Sequence, residues 1–106
     1  MNKEISAADA VILRDSNNEA VFLDVREHFE LTICRIEGAL HIPMGEVSER
    51  HEALPRDAPL IVFCHHGMRS LNVVQYLETK GFENALNLAG GIHSWSVDVD
   101  PKMKQY

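Results

Sequence analysis

The stretch Ile61-Val62-Phe63-Cys64-His65-His66-Gly67-Met68-Arg69-Ser70 constrains this chain more than any other. An apolar run ends at a cysteine. From Arg69 to Lys80 an amphipathic helical pattern follows, with Leu71, Val74 and Leu77 on one face and Gly81 as its stop. That order predicts a buried strand, a tight loop and a helix N-terminus. The free N–H groups of a first helical turn, and the helix dipole, favour negative charge at such a loop. Cys64 is therefore a candidate thiolate, the form of a thiol that acts as a nucleophile.

The rest of the chain alternates short apolar runs with helical ones. Ser6-Ala7-Ala8-Asp9 resembles a capping box opening a helix that runs to about Arg14. Ala20–Val25 reads as a buried strand, Glu27 to Leu31 as a short helix, and Gly38–Pro43 as a short strand closed by proline. Gly45 to His51 is predicted helical, Leu60–Phe63 is the most strand-like segment, and Ala85–Leu88 is the last strand. Gly90-Gly91 turns into a short helix holding Trp95 as a core anchor, and the segment after Asp98 is expected to be ordered only by docking. This alternation implies an α/β class with a mostly parallel sheet covered on both faces. Ligands of such sheets sit beyond the carboxyl ends of the strands, where Cys64 lies.

A chain of 106 residues, 45% hydrophobic and 25% charged, is read as one soluble domain spanning 1–106. Its formal net charge of -6 argues against nucleic acid and against an anionic membrane surface as partners. The two cysteines, Cys34 and Cys64, form no C-x-x-C pair and are too sparse for a secreted disulfide scaffold. The start at Met1–Ser6 has no apolar run of signal type, and no run is long enough for a membrane span. A reducing cytoplasm is the expected home.

Within the loop, successive N–H groups could curl inward as a nest for an anion or an anionic sulfur. Gly67 suits the positive φ such a curl needs. Arg69 presents a planar fork suited to sulfonate, phosphate or carboxylate oxygens; an arginine at a helix start opposes the dipole, so a bound anion or a carboxylate partner is expected. His65 and His66 are expected to line the mouth, as donors or as cations below about pH 6.5. Met68 is read as pocket wall or packing. Asp24, at a strand end on the same edge, is placed to pair with Arg69 and shape the loop; Arg26 is assigned to the same support. Three adjacent residues rarely converge on one ion, so no metal is expected at Cys64-His65-His66. Cys34 is read as a half-buried filler, or as a thiol that resolves an oxidised Cys64. His28, His51 and His93 show no spacing that lifts them above surface residues.

Taken together, four stretches resemble the rhodanese family of sulfurtransferases. Cys64-His65-His66-Gly67-Met68-Arg69-Ser70 matches a Cys-x-x-Gly-x-Arg loop followed by Ser or Thr. Leu23-Asp24-Val25-Arg26-Glu27, Ile36-Glu37-Gly38-Ala39-Leu40-His41-Ile42-Pro43 and Asn87-Leu88-Ala89-Gly90-Gly91-Ile92-His93-Ser94-Trp95 are similar to three further family segments, in the family's order. Cys34-Arg35 stands where Gly-His is usual, and His41 where Asn is usual. The resemblance implies an α/β rhodanese-like fold with a central, mostly parallel five-stranded sheet and helices on both faces. It also implies an activity: Cys64 takes a sulfane sulfur from thiosulfate or a persulfide, holds it as a persulfide, and passes it to a thiophilic acceptor, which can be a protein. His65, His66, Gly67, Met68 and Arg69 would bind substrate, Asp24, Arg26 and Ser70 would support the loop, and no cofactor is called for.

Two other readings stay open. A cysteine-dependent phosphatase or arsenate reductase also uses a thiolate loop ending in arginine, but with five residues between Cys and Arg where this chain has four. A non-catalytic docking module of the same family would need the loop intact yet idle. The segment from Val99 to Tyr106 resembles rhodanese domains fused to activating enzymes for ubiquitin-like sulfur carriers.

Overall fold

A computed structural model describes residues 3–106. The elements in chain order are β1 (Glu4–Ile5), α1 (Ala7–Ser16), β2 (Val21–Asp24), α2 (His28–Leu31), β3 (Leu40–His41), α3 (Val47–Arg50), β4 (Leu60–Phe63), α4 (Met68–Thr79), β5 (Ala85–Leu88) and α5 (Gly91–Asp98). Single 3-10 turns, Met44–Glu46 and His51–Ala53, flank α3. Five strands form one sheet in the order β1-β5-β4-β2-β3, and every neighbouring pair is parallel.

The strand β4 sits at the centre and all four of its residues are buried. Side chains of a strand alternate between faces, and the two cores follow that alternation. On one face Leu23, Leu60 and Val62 pack with Val47, Val73, Val74 and Leu77 of α3 and α4. On the other Phe22, Ile61, Phe63 and Leu88 pack with Ala7, Ala10, Ile92 and Trp95 of α1 and α5. Trp95 meets Phe22 edge-on at 5.3 Å, as the anchor role requires.

The elements follow local chemistry closely. The Ser6 side chain accepts from the Asp9 amide at 3.1 Å and opens α1, which runs two residues beyond the expected Arg14. In α4 the buried face is Ser70, Val73, Val74 and Leu77; Leu71 is only half-buried, so Val73 takes the place assigned to it. The helix also starts at Met68, one residue before Arg69. Strand β1 carries no pattern of its own in the sequence. Two residues long, it exists because β5 offers it a ladder, with the Asn87 amide bonded to Lys3 O at 2.6 Å and the Ala89 amide to Ile5 O at 2.8 Å. No helix among the described residues is long and apolar enough to cross a membrane.

Candidate active site

The carboxyl end of β4 delivers Cys64, and the chain then curls through Gly67 into α4. Gly67 takes φ 114°, in the region where side chains are strained, and caps the helix. The curl turns amides toward the sulfur. The Gly67 nitrogen donates to Cys64 Sγ at 3.1 Å, and Ser70 donates from its amide at 3.4 Å. Because the helix begins at Met68, the Ser70 amide is one of the first-turn donors that have no partner inside the helix. Cys64 itself is 1% exposed. Burial pushes its thiol up; the bonds from the Ser70 hydroxyl and amide and from the Gly67 and His66 amides outweigh that and bring it below the ordinary thiol value.

The Ser70 hydroxyl has one hydrogen and three acceptors within reach. Asn87 Oδ1 lies at 2.5 Å, Gly67 O at 3.2 Å and Cys64 Sγ at 3.4 Å. The shortest contact is the one to Asn87, and a turn about the Cβ–Oγ bond would bring the hydrogen to the sulfur instead. Asn87 in turn donates from Nδ2 to Glu4 at 2.9 Å and to Gly67 O at 3.2 Å. This buried asparagine of β5 braces the loop from below. In the sequence it stands as a polar residue inside the apolar run Ala85-Leu86-Asn87-Leu88, at the head of the segment that runs to Trp95.

The glycine pair closes the other side. The Ile92 and His93 amides, in the first turn of α5, donate to Cys64 O at 2.8 Å and His65 O at 3.1 Å. A Cβ on Gly91 would collide with both of those carbonyls, so α5 can approach this closely only with glycine there.

Asp24 does not pair with Arg69. Its carboxylate binds Arg26, at 3.0 Å to Nε and 2.8 Å to Nη2, and accepts the Arg26 amide at 2.9 Å. Arg26 follows Asp24 by two residues at the carboxyl end of β2 and both are fully buried, so they satisfy each other. Burial alone disfavours the Arg26 charge, but Asp24 and the Tyr106 hydroxyl hold it above the ordinary guanidinium value. Arg69 has the carboxylate partner its position calls for, and that partner is Glu30, which sequence reasoning passed over. Its Nη1 and Nη2 reach Glu30 Oε2 and Oε1 at 2.7 and 2.9 Å, a two-pronged pair. Glu30 also closes the capping box of α2 by accepting the Glu27 amide at 2.8 Å. The Glu27-x-x-Glu30 spacing was the available signal.

The segment after α5 does dock. Tyr106 Oη accepts from Arg26 Nη1 at 2.9 Å and donates to Glu30 Oε1 at 2.8 Å. Its ring stacks on His65, 3.7 Å between centroids and 3° between planes. Burial, with the bond to Glu30, pushes the Tyr106 phenol up to about 12, so the donor hydrogen stays in place. Burial and the neighbouring His66 push the His65 imidazole below its ordinary value. His66 is exposed and lies 5.2 Å from the His93 ring, so His93 joins the mouth that sequence reasoning left it out of. Met68 is 71% exposed, so of the two readings, pocket wall or packing, the packing one falls: at the first position of α4 it points away from the core. Cys34 is half-buried against the α1 and α5 core, with Sγ 3.9 Å from Arg26 Nη1. Among the described residues no group of histidines, cysteines and carboxylates is arranged to hold a metal ion.

A buried sulfur ringed by amides, with a guanidinium close enough to feel its charge, is equipped to be a nucleophile without a general base. Comparison with known proteins places the chain in a family. A family model described as a rhodanese-like domain matches residues 7–98. YtwF of Bacillus subtilis, provisionally named a sulfurtransferase, is 38% identical over 100 residues, which are 94% of this chain and 96% of that one. The thiosulfate sulfurtransferase GlpE of Coxiella burnetii is 34% identical over 95 residues, 90% of this chain and 88% of its own. Among solved structures, a rhodanese-related protein of Thermoplasma volcanium superposes with a TM-score of 0.83 at 36% identity, over 92% of this chain and 93% of that one.

Proposed function

Because this chain belongs to the rhodanese-like family, we propose that it carries sulfane sulfur from a donor to a thiophilic acceptor as a persulfide on Cys64. Family membership and the sulfurtransferase names of its relatives support the enzyme class. The amide ring around Cys64 Sγ carries the mechanism. The thiolate attacks the outer sulfur of thiosulfate or of a persulfide; an Sγ–S bond forms, the donor's S–S bond breaks, and sulfite or a thiolate leaves. The inward amides then stabilise the terminal sulfur. An acceptor thiol or a protein acceptor takes that sulfur and returns Cys64 to the thiolate. His65, His66, Gly67, Met68 and Arg69 form the substrate wall, and Asp24, Arg26 and Ser70 support it, within one domain of 1–106. The two free thiols fit a reducing compartment such as the cytoplasm.

Incubation with thiosulfate, and separately with an alkyl persulfide, followed by intact mass measurement tests this. The expected result is a gain of one sulfur atom that cyanide removes. Cys34→Ser keeps the gain and Cys64→Ser abolishes it. Uptake of sulfur by Cys64→Ser rejects the assignment.

A further inference from the structure

The fork of Arg69 is not free. Both of its terminal nitrogens are held by Glu30, whose carboxylate is buried, while the Arg69 side chain itself stays 32% exposed. Glu30 is tied on a second side by the Tyr106 hydroxyl and on a third by the Glu27 amide. The family match ends at residue 98, so the Tyr106 tie comes from outside the matched region. The charges then pair off: Arg69 with Glu30, and the fully buried Arg26 with Asp24. Lys104, on the segment that ends in Tyr106, is exposed, where its charge is screened.

Thiosulfate is a dianion with three oxygens that need cationic or N–H partners. A persulfide R–S–SH needs none of these: it offers an outer sulfur and an organic leaving group. We propose that Glu30, locked by Tyr106, is a specificity-determining residue that occupies the Arg69 fork and so favours persulfide donors over oxyanion donors such as thiosulfate. This rests on the sulfurtransferase reading above. With a persulfide the step balances as Cys64–S⁻ plus R–S–SH giving Cys64–S–SH plus R–S⁻; the outer sulfur keeps its proton and no oxidant is needed. With thiosulfate, Cys64–S⁻ gives Cys64–S–S⁻ and sulfite, and three negative charges must meet at a site with no unpaired guanidinium.

The test is a gain of function. Glu30→Gln keeps the α2 cap, since glutamine serves in a capping box, and releases the Arg69 charge. Single-turnover loading of Cys64 is measured with thiosulfate and with the persulfide of N-acetylcysteine amide, which carries no oxyanion. The wild type is expected to load faster from the persulfide. Glu30→Gln should raise the thiosulfate rate about tenfold while the persulfide rate stays within about twofold. Tyr106→Phe, which loosens Glu30 without removing it, should give a smaller gain on thiosulfate alone. Preference of the wild type for thiosulfate, or no gain in either variant, overturns the proposal. A second readout needs no sulfur transfer: the rate of Cys64 alkylation by anionic iodoacetate relative to neutral iodoacetamide, located by peptide mass. That ratio should match free cysteine in the wild type and rise in Glu30→Gln. If neither donor loads Cys64 yet the ratio rises, the sulfurtransferase reading fails and the charge assignment to Glu30 stands. If loading proceeds and the ratio does not move, the reading stands and the role of Glu30 is rejected.

Discussion

Ser70 donates its backbone N–H to Cys64 Sγ across 3.4 Å, and its hydroxyl stands at the same distance from the same sulfur. One residue thus supplies a fixed donor and a rotatable one. The fixed donor follows from the start of α4 at Met68, and the rotatable one depends on Asn87.

Ser70→Ala removes the rotatable donor and keeps the amide. The Cys64 thiol should move up toward the ordinary value, because burial then meets less opposition. A hydrogen bond to a charged group is worth about 1.5–3 kcal/mol, so sulfur uptake near neutral pH should slow about tenfold or more. The iodoacetamide alkylation rate against pH checks it: the midpoint shifts to higher pH, and an unchanged midpoint contradicts the role given to the hydroxyl.

Gly67→Ala and Gly91→Ala separate two kinds of glycine. At Gly67 a Cβ would make only ordinary contacts, so the cost is the strain of the positive φ, about 1–2 kcal/mol. At Gly91 the Cβ collides with the Cys64 and His65 carbonyls, so α5 must back away from the loop. Thermal melts should show the larger loss in Gly91→Ala, and that variant should also lose sulfur uptake. Equal losses would mean that α5 tolerates displacement.

Asp24→Asn leaves a fully buried guanidinium without its carboxylate partner. Removing one partner of a buried pair costs about 3–5 kcal/mol. Urea unfolding of the variant should show a midpoint lowered accordingly. A loss of well under 1 kcal/mol would show that Tyr106 and the Cys34 carbonyl suffice to hold Arg26.

Glu30 gives the fold an acid dependence. The Arg69 fork, against the opposing effect of burial and with help from the Glu27 amide and Tyr106, holds its carboxyl down at about 2 from an ordinary 4.5. A carboxyl lowered in the folded state stabilises fully above its unfolded value and loses that contribution as pH falls toward its folded one. Any stability advantage of the wild type over Glu30→Gln should therefore be constant above about pH 5. It should shrink between 4.5 and 2. Melting temperature against pH for both proteins reads this directly, and parallel curves down to low pH would contradict it.

The cysteine loop was legible in the sequence because its chemistry is local. Cys64, the positive φ of Gly67 and the first-turn amides all lie within one strand-loop-helix unit, where spacing dictates geometry. The alternating strands of the two-faced core were legible for the same reason. Where the reading failed, partners came from afar or from competing neighbours. Asp24 was assigned to Arg69, but Arg26 lies two residues away on the same buried edge and takes it first. Glu30 is 39 residues from Arg69 in the chain, and Tyr106 is 76 from Glu30, so no periodicity links them.

Local spacing, then, decided by itself that a strand would hand a cysteine to a helix N-terminus and that its amides would face the sulfur, since hydrogen-bond geometry over a few residues leaves little choice. Which ions pair around that sulfur was decided only when the sheet brought α2, the β4 loop and the segment after α5 together. Coulomb attraction depends on distance in space, and residues far apart along the chain acquire that distance only through the fold.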